Sequence, residues 1–401
     1  MLIVHKYGGT SVGDLERIGN VATRVAKARD EGNDIVVVVS AMSGETNKLT
    51  DFAKHFSDNP SKREMDMLLS SGERVTAALL AIALQEKGVD SIAMTGRQAG
   101  IVTDNSHTYA RIESIDPTAM QNEISAGKVL IVAGFQGINK SGSVTTLGRG
   151  GSDLSAVAIA GALKADACEI YSDVDGIYTT DPRIEPKAKK MDFISYDEML
   201  ELASLGAKVL QNRSVELAKK LKVKMIAKSS FSDAEGTVIG EETENMEAVL
   251  VSGIALDRNQ ARVTIREVSD RPGIAAEIFT KLADEQINID MIIQNASSDG
   301  KTNLGFTVPQ SDFSRAQQVI KEFNHDIGGM DIDDSVCKVS VVGVGMKSHS
   351  GVAASAFTAL ANENINIEMI STSEIKVSMV VAEKYAELAV RTLHAVYNLD
   401  K

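Results

Sequence analysis

The chain has 401 residues, 43% of them hydrophobic and 24% charged, enough for two or three globular domains that each bury a core. A formal net charge of −13 argues against general nucleic-acid binding, which needs a basic face to displace counter-ions, but leaves room for a local anion site. No apolar run reaches the length of a membrane span, and the N-terminus lacks the basic flank and long apolar core of a signal peptide.

Leu2 to Lys6 reads as a first strand, followed by a Gly8-Gly9 turn and an amphipathic helix from Asp14 to Glu31 with Leu15, Ile18, Val21, Ala22 and Val25 on one face. Asp34 to Ser40 is a continuous β-branched run, the pattern of a strand buried on both faces. A long helix is expected over Ser61 to Glu86. Strands follow at Ser91 to Met94, Val129 to Ala133 and Ala167 to Ser172, with a helix from Asp153 to Lys164. This alternation predicts an α/β domain over residues 1–245, with a mostly parallel sheet sandwiched by helices. Small and polar residues gather at the strand ends, where open α/β sheets bind ligands: Lys6 to Ser11, Ser40 to Gly44 and Gly134 to Gly137.

Between Glu235 and Glu247, two glycines and five glutamates break the pattern. Beyond that point the chain repeats itself. Ile287-Asn288-Ile289-Asp290-Met291-Ile292 recurs as Ile365-Asn366-Ile367-Glu368-Met369-Ile370, each copy within a strand, glycine turn, helix, strand, strand, helix order. Two α+β ferredoxin-like units are expected, 261–336 and 337–401. Strand Ala248 to Leu256 is expected to join one of the two sheets, the second being the candidate.

Three segments carry candidate chemistry. In Lys6-Tyr7-Gly8-Gly9-Thr10-Ser11 the glycines let backbone N–H groups approach phosphate oxygens while Lys6 supplies a cation, although a Gly-Gly turn can equally be only a turn. In Gly148-Arg149-Gly150-Gly151-Ser152-Asp153 a guanidinium between glycines suits a carboxylate ligand, and Ser152 or Asp153 is expected to cap the next helix. Tyr171-Ser172-Asp173-Val174-Asp175-Gly176-Ile177-Tyr178-Thr179-Thr180-Asp181-Pro182-Arg183 has the Asp, Tyr and Arg density of a nucleotide lip. Cys168 and Cys337 lie far apart in strand-like runs and read as buried free thiols, compatible with a reducing cytoplasm. The six histidines form no sequence cluster, and no metal site is expected.

Together with Ser40-Ala41-Met42-Ser43-Gly44-Glu45-Thr46-Asn47-Lys48-Leu49 and Ser71-Gly72-Glu73, these segments resemble aspartate kinase in order and spacing, within the amino-acid kinase superfamily. The C-terminal repeats resemble paired ACT domains. The resemblance implies transfer of the ATP γ-phosphoryl group, with Mg²⁺ on the nucleotide, to the side-chain carboxylate of aspartate. That is the first step towards lysine, threonine and methionine, and towards diaminopimelate. It implies catalytic roles for Lys6, Asp153 and Arg149. It places ATP against Lys6, Tyr7, Gly8, Gly9, Ser40, Tyr171, Ser172, Ile177, Tyr178, Asp181, Pro182, Arg183 and Lys208, and aspartate against Thr46, Glu73, Arg149, Gly150, Gly151, Ser152 and Asp153. Asp153 is expected to orient Lys6 or the substrate ammonium.

An amino-acid effector, lysine or threonine or both, would occupy the repeats. In the first copy it would meet Asp270, Gly273, Ile274, Ala275 and Ala276, faced by Met291, Gln294 and Asn295. In the second it would meet Met346, Ser348, Ser350, Gly351 and Val352, with Asn366, Ile367 and Glu368 opposite; alternatively this copy serves only dimerisation. The resemblance also implies a homo-oligomer formed through the ACT domains, and leaves open an internal start at Met246. Two other readings stay open: a glutamate, acetylglutamate or nucleotide kinase of the same superfamily, and a catalytically inactive amino-acid sensor.

Overall fold

The computed structural model describes residues 1–204, 210–242, 250–294, 300–323, 325–347 and 351–401. These divide into two compact units, one formed by Met1–Ile177, Lys190–Ala203 and 210–242, the other by Tyr178–Lys189 and the described residues from 250 onward. Segment Tyr178–Lys189, drawn with the first domain from sequence, thus packs with the second unit.

In chain order the first unit contains β1 (Leu2–Tyr7), α1 (Leu15–Asp30), β2 (Asp34–Val39), α2 (Glu45–Phe56), α3 (Lys62–Leu69), α4 (Ser71–Glu86), β3 (Ser91–Met94), β4 (Ile101–Thr103), β5 (Ile112–Ile115), α5 (Thr118–Ser125), β6 (Val129–Ala133), β7 (Gln136–Asn139), β8 (Val144–Thr146), α6 (Gly151–Leu163), β9 (Ala167–Ser172), β10 (Phe193–Ser195), α7 (Tyr196–Ser204), α8 (Asn212–Leu221), β11 (Met225–Ser229) and β12 (Thr237–Gly240). Eight strands form one sheet in the order β10-β12-β11-β9-β1-β2-β6-β3, parallel except at the β11–β12 pair. The β-branched runs account for its centre: Val36 to Val39 and Val129 to Val132 are completely buried. Helices α1 and α4 cover one face through Ile18, Val21, Val25, Leu80 and Leu84. A second, four-stranded sheet runs β5-β4-β7-β8.

Some sequence expectations give way to packing. Leu15 is 69% exposed, because the apolar stripe of α1 begins only at Ile18. The helix expected over Ser61 to Glu86 is divided at Ser70 into α3 and α4. By length and composition the stretch Lys62–Glu86 could cross a membrane, although it is no unbroken apolar run; here α4 buries Glu73, Leu80 and Leu84, and α3 buries Asp66. Helix α6 begins at Gly151, capped by Gly150 in the left-handed region with no side-chain cap, so neither Ser152 nor Asp153 is the N-cap. Both cysteines are buried free thiols, and burial pushes the Cys168 thiol up.

The second unit contains β13 (Gly253–Ser269), α9 (Ile274–Asp284), β14 (Ile292–Gln294), β15 (Lys301–Val308), α10 (Phe313–Lys321), β16 (Gly329–Val342), α11 (Val352–Asn362), β17 (Met369–Thr372), β18 (Lys376–Ala382) and α12 (Ala386–Val396). Its strands form one sheet, β14-β15-β13-β16-β18-β17. The expected strands at 248–256 and 261–268 are, where described, one strand, β13, irregular between Asp257 and Arg262. Its first part pairs with β16 at 338–342, and its second part lies between β15 and the beginning of β16. The repeated hexapeptides enter strands only at Ile292 and Met369, later than expected.

Helices α9 and α10 cover Ala261, Val263, Ile265 and Phe306, while α11 and α12 cover Cys337, Val339, Val341 and Met379. Between the repeats Met291 and Ile293 meet Met369, Val336 and Val380. Here the two copies exchange charges. Asp290 of the first copy pairs with Lys338 of β16, and Glu368, its counterpart in the second copy, pairs with Arg262 of β13 at 3.0 Å.

Candidate active site

Side chains alternate along β1, so His5 and Tyr7 turn to one face of the sheet and Lys6 to the other, towards α6. Lys6 Nζ lies 2.6 Å from Asp153 Oδ1, both side chains 11% exposed. The first turn of α6 therefore holds the lysine ammonium at the β1 tip. Asp153 Oδ1 makes no hydrogen bond of good geometry among the described residues, which leaves the ion pair as its compensation.

Gly8 N donates to Tyr171 O (3.2 Å) and Ser11 N to Gly8 O (2.9 Å), shaping the turn that follows Lys6. In the loop that follows the neighbouring strand β2, Ala41 N donates to Glu73 Oε1 at 3.1 Å. That contact needs Gly72, since a Cβ there would stand 2.7 Å from Ala41 Cβ. Glu73 is 4% exposed and its Oε2 has no hydrogen-bond partner among the described residues. Burial raises its carboxyl pKa to about 7, the backbone N–H contacts opposing this only in part.

Lys6, Asp153, Ala41 and Glu73 line one cavity of about 430 Å³, together with Gly9, Ser40, Thr46, Gly148, Arg149, Gly150, Gly151 and Ser152, whereas Gly8 is not part of its lining. Arg149 is exposed on its wall with no acceptor among the described residues, held out by a turn whose Gly148 and Gly150 have φ of 78° and 71°. A buried ammonium at one end, a buried carboxylate and a free guanidinium suit a ligand bearing phosphate, carboxylate and ammonium groups.

The nucleotide-lip candidates are placed differently. Tyr7 and Tyr171 stack in the core with ring centroids 4.7 Å apart, and Tyr171 Oη donates to Glu169 at 2.6 Å. Ile177 is buried, so Tyr7, Tyr171 and Ile177 can offer a ligand little beyond backbone. Ser172 ends β9 half-buried. Tyr178, Asp181, Pro182 and Arg183 lie in the segment belonging to the second unit, where Arg183 donates to Asp181 (2.7 Å) and holds its carboxyl below the usual range. Lys208 lies outside the described residues.

Among the effector candidates, Gly273 and Gly351 are matching left-handed N-caps (φ 98° and 109°), and Ile274 and Val352 behind them are core residues. Asp270, Ala276, Gln294 and Asn366 are exposed; Ala275, Met346 and Ile367 are half-buried; Glu368 is taken up by Arg262. Asn295, Ser348 and Ser350 lie outside the described residues, as does Met246. Sequence reasoning missed one buried polar cluster: Asp66 accepts from His107 Nδ1 (2.6 Å) and Thr146 Oγ1 (2.5 Å). The sequence separations of 41 and 80 residues leave no local signal for it.

An amino acid kinase family model matches residues 1–228, and an ACT domain model matches residues 266–323 and 339–397. The chain is 59% identical to an aspartokinase of Helicobacter pylori over 405 aligned residues, 100% of each chain. Two solved structures of aspartokinase III from E. coli are similar at 27% identity and a TM-score of 0.80. One, in complex with aspartate and ADP, covers 99% of both chains; the other, in complex with lysine and aspartate, covers 98% of this chain and 99% of that one.

Proposed function

Because this chain belongs to the aspartokinases of the amino acid kinase family, we propose that its cavity binds aspartate between Arg149 and Glu73 and presents the side-chain carboxylate to ATP held at Lys6. The supporting observation is that one cavity gathers the Lys6–Asp153 pair, the unpartnered Glu73 oxygen and the free Arg149 guanidinium. Arg149 pairs with the α-carboxylate, and Glu73 with the ammonium, through the oxygen that has no hydrogen-bond donor of its own. The side-chain carboxylate is already ionised near neutral pH, so no general base is required. One of its oxygens bonds to the γ-phosphorus as the bond to the bridging oxygen breaks, and ADP leaves with the electron pair. Lys6 offsets the charge that the two approaching anions bring together. Asp153 is fixed against Lys6 and orients it rather than acting as a base. Mg²⁺ would enter on the nucleotide phosphates, as part of the substrate, and add its charge to that of Lys6 in offsetting the two anions.

Trapping with hydroxylamine tests this reading. An acyl phosphate gives a coloured hydroxamate, expected with aspartate and absent with glutamate or acetylglutamate. Product with glutamate alone overturns the substrate assignment, and no product at all favours an inactive sensor. Arg149→Ala should raise the aspartate KM by a factor corresponding to about 2–3 kcal/mol while sparing the ATP KM; equal loss for both substrates contradicts the role.

We also propose that the ACT repeats bind lysine, threonine or both and join copies of the chain. The lysine complex of the E. coli relative supports the effector class. Exposed Ile292 and Ile370, at equivalent positions on the edge strands β14 and β17, support self-association. Titrating activity with each amino acid, singly and jointly, tests the first claim, and light scattering the second. A chain ending at residue 246 should lose the inhibition, and inhibition that persists would place the effector site elsewhere.

A further inference from the structure

Asp66 has no exposed surface, sits on α3 outside the cavity lining, and takes no part in the chemistry above. A carboxylate so buried is costly unless every lone pair is engaged. Asp66 meets that condition by gathering groups remote in sequence: Thr146 Oγ1 at 2.5 Å, His107 Nδ1 at 2.6 Å, and the Thr108 N–H shared between both oxygens at 3.0 and 3.1 Å. Thr108 is held at φ 70°, a conformation that a β-branched residue seldom adopts without such restraint.

What this cluster holds is the turn bearing Arg149. Thr146 ends β8 three residues before Arg149, and its carbonyl accepts from Ala110 N at 2.9 Å. Tyr109 packs so closely on Gly148 that a Cβ there would lie 2.5 Å from its ring. From α8, Arg213 donates to Leu147 O (2.6 Å) and Ala110 O (3.0 Å), its guanidinium 4.6 Å from the Tyr109 ring centre. Arg149 alone in this assembly is left without a partner among the described residues. At the other end α3 runs through Ser70, whose carbonyl accepts from Gln136 Nε2 (2.9 Å), into α4 and Glu73.

We propose that Asp66, oriented by His107, is a positioning residue that ties the Arg149 turn to the helix pair carrying Glu73, and so sets the spacing between guanidinium and carboxylate that selects an α-amino acid. The inference rests on the assignment of Arg149 and Glu73 as the aspartate clamp. Because Asp66 acts on the clamp and not on Lys6, its loss raises the aspartate KM and leaves the ATP KM and the kcat at saturating aspartate in place.

The test compares Asp66→Asn, His107→Leu and His107→Asn with Arg149→Ala in the full-length enzyme. Asp66→Asn places an amide that can donate where three donors converge; His107→Leu removes a donor; His107→Asn restores one near the Nδ1 position. Asp66→Asn and His107→Leu are expected to raise the aspartate KM by about tenfold or more, as small misplacements of binding groups do. They should also narrow the preference for aspartate over the same dicarboxylate lacking its ammonium, and His107→Asn should recover most of both. If Asp66→Asn fails to fold, the half-buried His107 pair carries the test alone. Unchanged aspartate KM in His107→Leu, or parallel changes in both KM values and kcat, overturns the inference while Arg149→Ala still behaves as a clamp residue. A silent Arg149→Ala instead overturns the clamp assignment itself.

Discussion

The charge state of Glu73 should govern aspartate binding across neutral pH. In the empty cavity its pKa is raised to about 7 from 4.5, chiefly by burial. At 1.36 kcal/mol per unit this means the lone carboxylate is disfavoured by about 3 kcal/mol. A substrate ammonium beside Oε2 supplies the missing counter-charge and draws the pKa back down. Below pH 7 the free enzyme carries a neutral Glu73, and binding must release its proton. The aspartate KM should therefore rise about tenfold per unit as pH falls below 7, and level off above it. Aspartate's own side-chain carboxyl titrates near 4 and contributes little to that window. The assay is the aspartate KM from pH 8 to pH 5.5 at saturating ATP, with calorimetry in two buffers of different ionisation heat to count the proton released at pH 6. Glu73→Gln keeps an acceptor for Ala41 N but cannot ionise, so its KM should be high and flat over the same range. A flat wild-type profile, or an unchanged slope in Glu73→Gln, would refute the reasoning. The same shift has a sign for stability. The native state retains a proton that the unfolded chain has lost between pH 4.5 and 7, so the unliganded protein loses the Glu73 contribution as pH rises through that interval.

Other expectations concern packing. Lys6→Met should lower kcat by about 10²–10³ and, by stranding Asp153, cost about 3–5 kcal/mol; adding Asp153→Asn should restore the melting temperature but not the kcat. Gly72→Ala forces a methyl to within 2.7 Å of Ala41 Cβ, and the overpacking should cost about 1–3 kcal/mol in denaturant unfolding while raising the aspartate KM more than the ATP KM. Arg262→Gln and Glu368→Gln should show a coupling of about 1 kcal/mol in a double-mutant cycle of thermal unfolding, modest because both side chains keep some water contact. Strict additivity would show that the pair contributes nothing.

The large sheet was legible because its central strands are unbroken β-branched runs, which few other environments tolerate. The four-stranded sheet was not, since β4 and β8 are three residues long and β5 and β7 mix polar with apolar positions. Strand β13 was misread as two strands because Asp257-Arg258-Asn259 looks like a turn, whereas both of its ends remain paired with β16 across an irregularity. In the site, Lys6 and Arg149 announced themselves through the glycines beside them. That Glu73 reaches the same cavity depends on how close α4 comes at Gly72 to Ala41, just past the end of β2, a distance that appears only once the chain is folded. The Asp66 cluster is assembled wholly from residues distant in sequence, and no periodicity or spacing marks it.

The exchanged charges of the C-terminal unit limit how its two halves can change. Each half carries an acid whose base resides on the other, so neither copy is electrically complete in isolation. Lys338 is 3% exposed. A fragment ending before it would leave Asp290 without its base, and one beginning at it would lose both Asp290 and the β13 neighbour that lines Lys338. A charge change at any one of these four positions is therefore felt in both halves, across the seam that joins them.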